Sequence, residues 1–513
     1  VPVPASEPSE AGRFERNFRT AGLFIGPAAA LLVYLANPGG HPPEARRLLA
    51  ILAFTVVFWM TEAIPLPATA LLSSSLAIVL GVAPAREVLQ PYAQPIIFMF
   101  LGTFLLAEAF RKFAIDKRVA TLLLGGAGGR RPGRFARSRF GRILGIGGAT
   151  AAISLWISNT AAAALMTPVA LGLEPERTDE PRPIMTAILL MVAYGASIGG
   201  MATLVGTPPN LLVAGFLDSL CGVDVSFAGW LMFGVPIAAV LFALSIILTW
   251  IIVGRRSTAS APDAGAAAGA PDFAASAGDA AGDLPPWRRA GARVTLGALG
   301  LAVLLWCLPS LARVAWGADS AIAASIDARL PEAGVALFCA ALLFVVPVEW
   351  RRRRFALSWQ DGSRINWGIL MLFGGGLSLG TLAQSTGVAA WVGEGLSAFG
   401  LARSGAGLLF CAVAVTILVS EFASNTAAGT LLVPMVIAAA QAAGLDPVRP
   451  AIGVGLAATC GFIFPVSTPP NAIVFGTGLV PLRRMIEVGI LLDFVSLFVV
   501  WGGLLLLTPL LPR

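Results

Sequence analysis

Two polar interruptions, each present twice, sit inside stretches that are otherwise apolar enough to lie in lipid. Ser154-x3-Ser158-Asn159-Thr160 returns as Ser420-x3-Ser424-Asn425-Thr426, and Gly206-Thr207-Pro208-Pro209-Asn210 returns as Ser467-Thr468-Pro469-Pro470-Asn471. Hydrocarbon offers no water to a freed N–H or C=O, so each break must find partners in neighbouring protein or in a bound polar ligand. Matched breaks in two halves of a chain therefore point to a transporter made of two repeats, with its binding site near the membrane midplane.

Composition agrees. Of 513 residues, 57% are hydrophobic and only 12% charged, and the mean hydropathy is +0.82, far more apolar than a soluble domain of this size. Segments such as 48–64, 184–205, 230–253 and 488–507 approach the roughly 20 residues a helix needs to cross a bilayer core. They do not alternate in polarity at every second residue, which favours helices over a transmembrane barrel. The expected fold is an all-α integral membrane protein.

The net charge of +7 is not read as a nucleic-acid footprint, because the basic residues fall in short clusters between apolar spans. These are Arg13/Arg16/Arg19, Arg111 to Arg118, Arg130 to Arg142, Arg255/Arg256, Arg288/Arg289 and Arg351 to Arg354. Such clusters mark cytoplasmic loops first and lipid-headgroup contacts second. Arg46/Arg47 runs against the pattern. The cysteines, Cys221, Cys307, Cys339, Cys411 and Cys460, have no paired spacing and read as buried small hydrophobes. No signal peptide is expected, since the first twenty residues are polar and lack an apolar core ahead of a cleavage pattern.

About eleven spans are expected, at 21–37, 47–64, 67–84, 94–124, 183–216, 229–253, 292–315, 333–349, 365–394, 449–479 and 485–511. The Gly- and Ala-rich block 140–171 and its counterpart 404–440 are interrupted at Ser-Asn-Thr and read as re-entrant hairpins. The chain then divides into an N-terminal cytoplasmic tail, 1–20, a first half, 21–253, a flexible linker, 254–286, and a second half, 287–513. The linker holds neither Ile nor Val and cannot bury a core. Counted from a cytoplasmic N-terminus, the first hairpin enters from the cytoplasm and the second from outside, so the repeats are expected to be inverted. Ile97-Phe98-Met99-Phe100-Leu101-Gly102 is echoed by Ile369-Leu370-Met371-Leu372-Phe373-Gly374 in the same order relative to the other motifs.

At a Ser-Asn-Thr break, the carbonyls ending one half-helix can join hydroxyl and amide oxygens around a small hard cation. The N–H groups opening the next half-helix, with the Asn amide and Thr hydroxyl, can face an anion. The Pro-Pro pairs break the companion spans, because proline lacks a donor and clashes with the carbonyl one turn back. Carbonyls near Gly206 and Ser467 are then free for a cation, Thr207 and Thr468 can offer hydroxyls to the anion, and Asn210 and Asn471 can brace the break. No Lys, Arg or His lies within either motif, so an anion would depend on the cations bound beside it.

A rival, proton-coupled reading rests on Glu62, Glu108, Glu421 and Asp493. Glu62 and Glu108 sit at expected interfaces, where pairing is the plainer role. Glu421 stands out because the first repeat has Leu155 in its place. An enzyme is not expected: the sole histidine, His41, lies in a polar Gly-Pro loop, with no nucleophile–base or metal-ligand spacing around it.

At these same residues the chain resembles the divalent anion/sodium symporter family, which carries dicarboxylates, tricarboxylates or sulfate. The likeness rests on both Ser-Asn-Thr motifs, both Thr-Pro-Pro-Asn stretches, and Trp59-Met60-Thr61-Glu62-Ala63-Ile64-Pro65-Leu66-Pro67. It implies a first sodium site on Ser154, Ser158, Asn159 and the backbone of Gly206, and a second on Ser420, Ala423, Asn425 and the backbone of Ser467. It implies substrate contacts from Asn159, Thr160, Thr207, Asn425, Thr426 and Thr468. It further implies a homodimer in a bacterial inner membrane that takes up a divalent anion, expected to be a C4-dicarboxylate, together with Na+ by alternating access. A sodium-independent exchanger of the same fold and a passive anion channel are the alternatives.

Overall fold

The structure is a computed structural model describing residues 10–37, 40–115, 118–119, 138–172, 183–254, 286–317, 320–398 and 404–507. The expected linker lies almost wholly outside the described residues, as does the start of the expected tail. The first helix runs Glu10–Ala36, so the described part of that tail continues into the first span without a break.

Among the described residues, eight helices are long and apolar enough to cross a membrane: Asn17–Ala36, Ala85–Lys112, Pro183–Met201, Phe227–Ile252, Trp287–Trp316, Trp367–Ser385, Asn425–Ala442 and Leu482–Leu506. Ala321–Arg329 and Glu332–Val345, bent by 52° at Leu330-Pro331, form a ninth when taken together. Other expected spans are shorter or broken, so fewer full-length helices appear than the eleven crossings expected. The segments expected at 183–216 and 449–479 each split at the Thr-Pro-Pro, giving Pro183–Met201 with Pro208–Cys221, and Val448–Ala457 with Pro469–Phe475. The β structure among the described residues is one antiparallel ribbon, Pro347–Glu349 with Arg354–Phe355.

The two hairpins are built alike. Gly141 N donates to Ser138 Oγ at 3.0 Å to cap the first arm Arg139–Ser154, and Gly407 N donates to Ser404 Oγ at 3.1 Å to cap Gly405–Ser420. The return arms, Asn159–Leu171 and Asn425–Ala442, each carry a proline nine residues in, Pro168 and Pro434.

Helix Pro183–Met201 is apolar on every side and is buried along nearly its whole length. Apolar packing alone does not drive helices together in lipid, so close backbone approach has to do it. Gly195 and Gly199 supply that approach: a Cβ on Gly195 would fall 2.6 Å from the Gly147 carbonyl oxygen, and one on Gly199 2.3 Å from that of Ala151. Small residues four apart on each helix thus seat the first hairpin arm against the helix that carries the first Pro-Pro break.

The hairpins enter from opposite ends. Helix Phe227–Ile252 begins beside Leu220 and Cys221, to which Gln441 at the base of the second hairpin reaches. Near its other end the same helix carries Trp250, whose ring meets that of Phe140 at the base of the first hairpin, 5.5 Å between centroids. The bases of the two hairpins thus lie toward opposite ends of this helix.

Candidate functional site

Each Ser-Asn-Thr tip is closed by the same pair of contacts. Ser154 is buried at the end of its arm, with Oγ 2.9 Å from Asn159 Oδ1 and 2.7 Å from the Ala196 carbonyl. Ser420 is buried in the same way, with Oγ 3.0 Å from Asn425 Oδ1 and 2.7 Å from the Ala458 carbonyl. One hydroxyl thus ties a tip to the broken helix behind it and gathers a hydroxyl, an amide oxygen and a carbonyl. That is an oxygen-only donor set of the kind a hard cation accepts.

The Pro-Pro breaks match as closely. Asn210 Nδ2 donates to the carbonyls of Gly200 at 3.2 Å and Thr203 at 2.7 Å. Asn471 Nδ2 donates to those of Gly461 and Phe464, both at 3.0 Å. The two asparagines, expected as braces, hold the turn of each break by an amide that replaces the donor lost to proline. Gly206 has no room for a side chain, since a Cβ would stand 2.5 Å from the Gly200 oxygen. Gly200 gives the same close fit to the tip, its absent Cβ falling 2.1 Å from Asn159 Oδ1.

The remaining expected residues occupy varied settings. Ser158 caps Asn159–Leu171, accepting from Ala161 N at 3.3 Å, and both it and Thr160 are exposed. Asn159 is nearly buried, whereas Asn425 and Thr426 are half-exposed and Ala423 is buried. Ser424 caps its helix without a side-chain bond, which leaves its hydroxyl free of that duty. Thr207 and Thr468 are both buried, and Thr468 Oγ1 accepts from Asn471 N at 3.3 Å.

The halves interlock at this centre. Pro208–Cys221, which follows the first break, packs on the second half's Asn425–Ala442 and Val448–Ala457. Pro469–Phe475, which follows the second break, packs on the first half's Asn159–Leu171 and Pro183–Met201. Each tip therefore stands against the half-helix of the opposite repeat. Tyr194 adds a cross-link, with its hydroxyl 3.4 Å from the Phe462 carbonyl and its ring 5.2 Å from the Phe462 ring.

The carboxylates weighed for proton coupling divide by position. Glu62 pairs with Arg19 at 3.3 Å, and Glu108 takes a two-pronged bond from Arg111 at 2.6 and 2.9 Å, the pairing expected of them. Glu421 and Asp493 are buried instead and fasten the second break. Asp493 Oδ1 accepts from Phe462 N at 3.3 Å, and Glu421 accepts from Ile463 N at 3.0 Å, Phe464 N at 3.2 Å and the Ser467 hydroxyl at 2.5 Å. Three successive amides are satisfied by two acids. The first break has no such acids and uses Thr203, whose Oγ1 donates to the Leu155 carbonyl at 2.8 Å.

Sequence reasoning missed Thr203 because its counterpart is Phe464, so comparing the repeats hides it. It missed the tie from Tyr194 because nothing local announces a contact 268 residues away. The paired Pro168 and Pro434 were there to be found as a further matched spacing.

A family profile described as sodium:sulfate symporter transmembrane region matches residues 20–508. The chain is 32% identical over 494 residues to a protein of Staphylococcus saprophyticus named sodium-dependent dicarboxylate transporter SdcS, covering 93% of this chain and 89% of that one. It is 31% identical over 490 residues to the protein of that name from Staphylococcus aureus, with the same coverage. Among solved structures, the fold is similar to the Neisseria gonorrhoeae MtrF protein, with a TM-score of 0.57 at 12% identity over 96% of this chain and 97% of that chain. It is also similar to the Alcanivorax borkumensis YdaH transporter, with a TM-score of 0.51 at 15% identity over 81% and 84% of the two chains.

Proposed function

This chain belongs to the sodium:sulfate symporter family of membrane transporters, and we propose that it couples the inward movement of a divalent anion, a C4-dicarboxylate, to the entry of Na+. The observation that carries this reading is the duplicated Ser–Asn closure: Ser154 with Asn159 and Ser420 with Asn425 present the same oxygen set at two broken helices. Relatives at 31–32% identity named as sodium-dependent dicarboxylate transporters support the choice of ion and cargo.

Na+ is held at the first tip by Ser154, Ser158, Asn159 and the backbone of Gly206, and at the second by Ser420, Ala423, Asn425 and the backbone of Ser467. The anion lies between the tips, against the N–H ends of the return arms, Thr160, Thr426, Thr207 and Thr468. With no Lys, Arg or His in either motif, the cations and helix ends supply the positive potential. Binding of the two cargoes is then coupled in both directions.

Transport by alternating access moves the unit made of both hairpins and both broken helices against the other spans. A crevice with room for about one water, roughly 10 Å³, lies on the boundary between Trp156 and Val205 of that unit and Thr103, Phe110, Leu299 and Trp306 outside it. The setting is a bacterial inner membrane, with the basic loops inside and the protein a homodimer.

The test uses purified protein in proteoliposomes free of internal anion, with labelled succinate outside. Accumulation above the external concentration, driven by an inward sodium gradient and abolished when potassium replaces sodium, is the expected result. Silence without internal anion would mark an exchanger, and sodium-independent flux that only equilibrates would mark a channel.

A further inference from the structure

The Trp350–Phe355 turn of the ribbon has features that transport does not use. It projects from the end of Glu332–Val345, beside Lys112 and Trp287, with Arg351 to Arg354 all exposed. Glu349 pairs with Arg352 at 3.3 Å and Arg354 at 3.5 Å, while Arg351 and Arg353 have no ion-pair partner among the described residues. Arg353 sits in the left-handed region at φ 47°, where glycine or asparagine would fit with less strain.

Two tryptophans flank these arginines in the open. Trp350 is 81% exposed and Trp359 73% exposed. Phe338 and Val345, 55% and 68% exposed, continue the apolar strip along the preceding helix toward the membrane. An amphipathic ring at the end of an apolar face is the arrangement found at headgroup depth.

The segment that follows the turn is also anchored. Lys112 Nζ donates to the Ala356 carbonyl at 2.9 Å and to Asp361 at 2.8 Å, Leu357 N donates to the Leu343 carbonyl at 2.8 Å, and Arg354 stacks 5.2 Å over Trp287. The backbone just after Arg351 and Arg353 is thus anchored to the helices beneath it.

We propose that this ribbon is a binding site for the phosphate headgroup of an anionic phospholipid of the surrounding bilayer. Arg351 and Arg353 engage the phosphate, and Trp350 and Trp359 lie among the glycerol and upper acyl groups. The site would fix the depth of the helices that do not move during transport.

The full-length protein in nanodiscs of phosphatidylcholine, with phosphatidylglycerol titrated in, tests this. Retained phosphatidylglycerol is counted by native mass spectrometry, and tryptophan quenching by phosphatidylglycerol brominated high on its chains is read in parallel. Retention in R351Q/R353Q should fall by roughly five-fold per arginine, or about 25-fold in all. Trp350→Leu and Trp359→Leu should each lower the quenching, and the double variant more than either, while keeping most of the retention, and soluble glycerol phosphate should not compete. Thermal melting of each variant in detergent controls for folding. Unchanged retention in the double variant, or equal retention of phosphatidylcholine, would overturn the proposal, as would a variant effect confined to oligomeric state, which would make the ribbon a contact between copies.

Discussion

Thr203 donates its hydroxyl to the main-chain carbonyl of Leu155, and this bond joins the first Pro-Pro break to the first tip. The equivalent carbonyl in the second half belongs to Glu421, and Ser467 reaches it at 3.2 Å from the position where the first half has Gly206. The same junction is therefore made from two different places on the loop. A glycine at 206 and a serine at 467 are each required by what surrounds them, which accounts for the one mismatch between the two proline motifs.

Thr203→Val keeps the shape of the side chain and removes the donor, leaving the Leu155 carbonyl without this partner. Losing a buried bond of this kind costs about 1–3 kcal/mol. The thermal stability of the detergent-purified protein should fall accordingly, and the apparent sodium affinity of transport should weaken with it, because the first tip loses its tie to the break. An unaltered sodium dependence would remove Thr203 from the site.

Gly200 and Gly461 occupy matched positions with unequal room. A methyl group at 200 would lie 2.1 Å from Asn159 Oδ1, whereas at 461 its nearest neighbours are at 3.2 Å, Ser420 O and Ser467 Cβ. Gly200→Ala should displace the Asn159 amide and abolish sodium-driven uptake. Gly461→Ala should leave measurable uptake with a raised sodium requirement. Equal damage from both substitutions, measured at saturating sodium in proteoliposomes, would contradict this ordering.

The matched tips and breaks could be read from the sequence because the chain carries each motif twice. A polar break in lipid is costly enough that chance does not supply matched copies. Glu421 was also visible, as a charge where the partner repeat has Leu155. Its duty was not, because the amides of Ile463 and Phe464 come to donate to it only once a distant loop folds over it. The exchange of half-helices between repeats was equally hidden: the packing of Pro469–Phe475 on Asn159–Leu171 leaves no trace in local periodicity. Span boundaries were legible where apolar runs were long, as at Phe227–Ile252, and not where a proline break made two short helices from one expected span.

Asn159→Ala and Asn425→Ala each delete an amide oxygen that the proposed cation shares with a serine hydroxyl. Because anion binding depends on the cation, substrate and sodium affinities should weaken together, each by about 5- to 150-fold. Isothermal titration of succinate at several sodium concentrations reads both at once. A variant that loses succinate affinity but keeps the wild-type sodium dependence would confine that asparagine to the anion.

Lys112 and Asp361, 2.8 Å apart, tie the end of Ala85–Lys112 to the short helix Trp359–Gly362, so their pairing holds together two segments outside the hairpins and the broken helices. Partial burial works against the charged carboxyl, yet hydrogen bonds from Lys112 and Ser358 and the Lys112 charge pull Asp361 down to about 2. A carboxyl lowered on folding contributes stability that is complete above its unfolded value near 3.8 and is lost as pH falls through about 2. With both side chains partly open to solvent, the contribution is about 1 kcal/mol. Lys112→Met should therefore melt a few degrees below the wild type at pH 6, and the gap should close between pH 4 and pH 2. A gap that stays constant over that window, followed by differential scanning fluorimetry in detergent, would mean that packing of the lysine stem and not the ion pair holds these segments together.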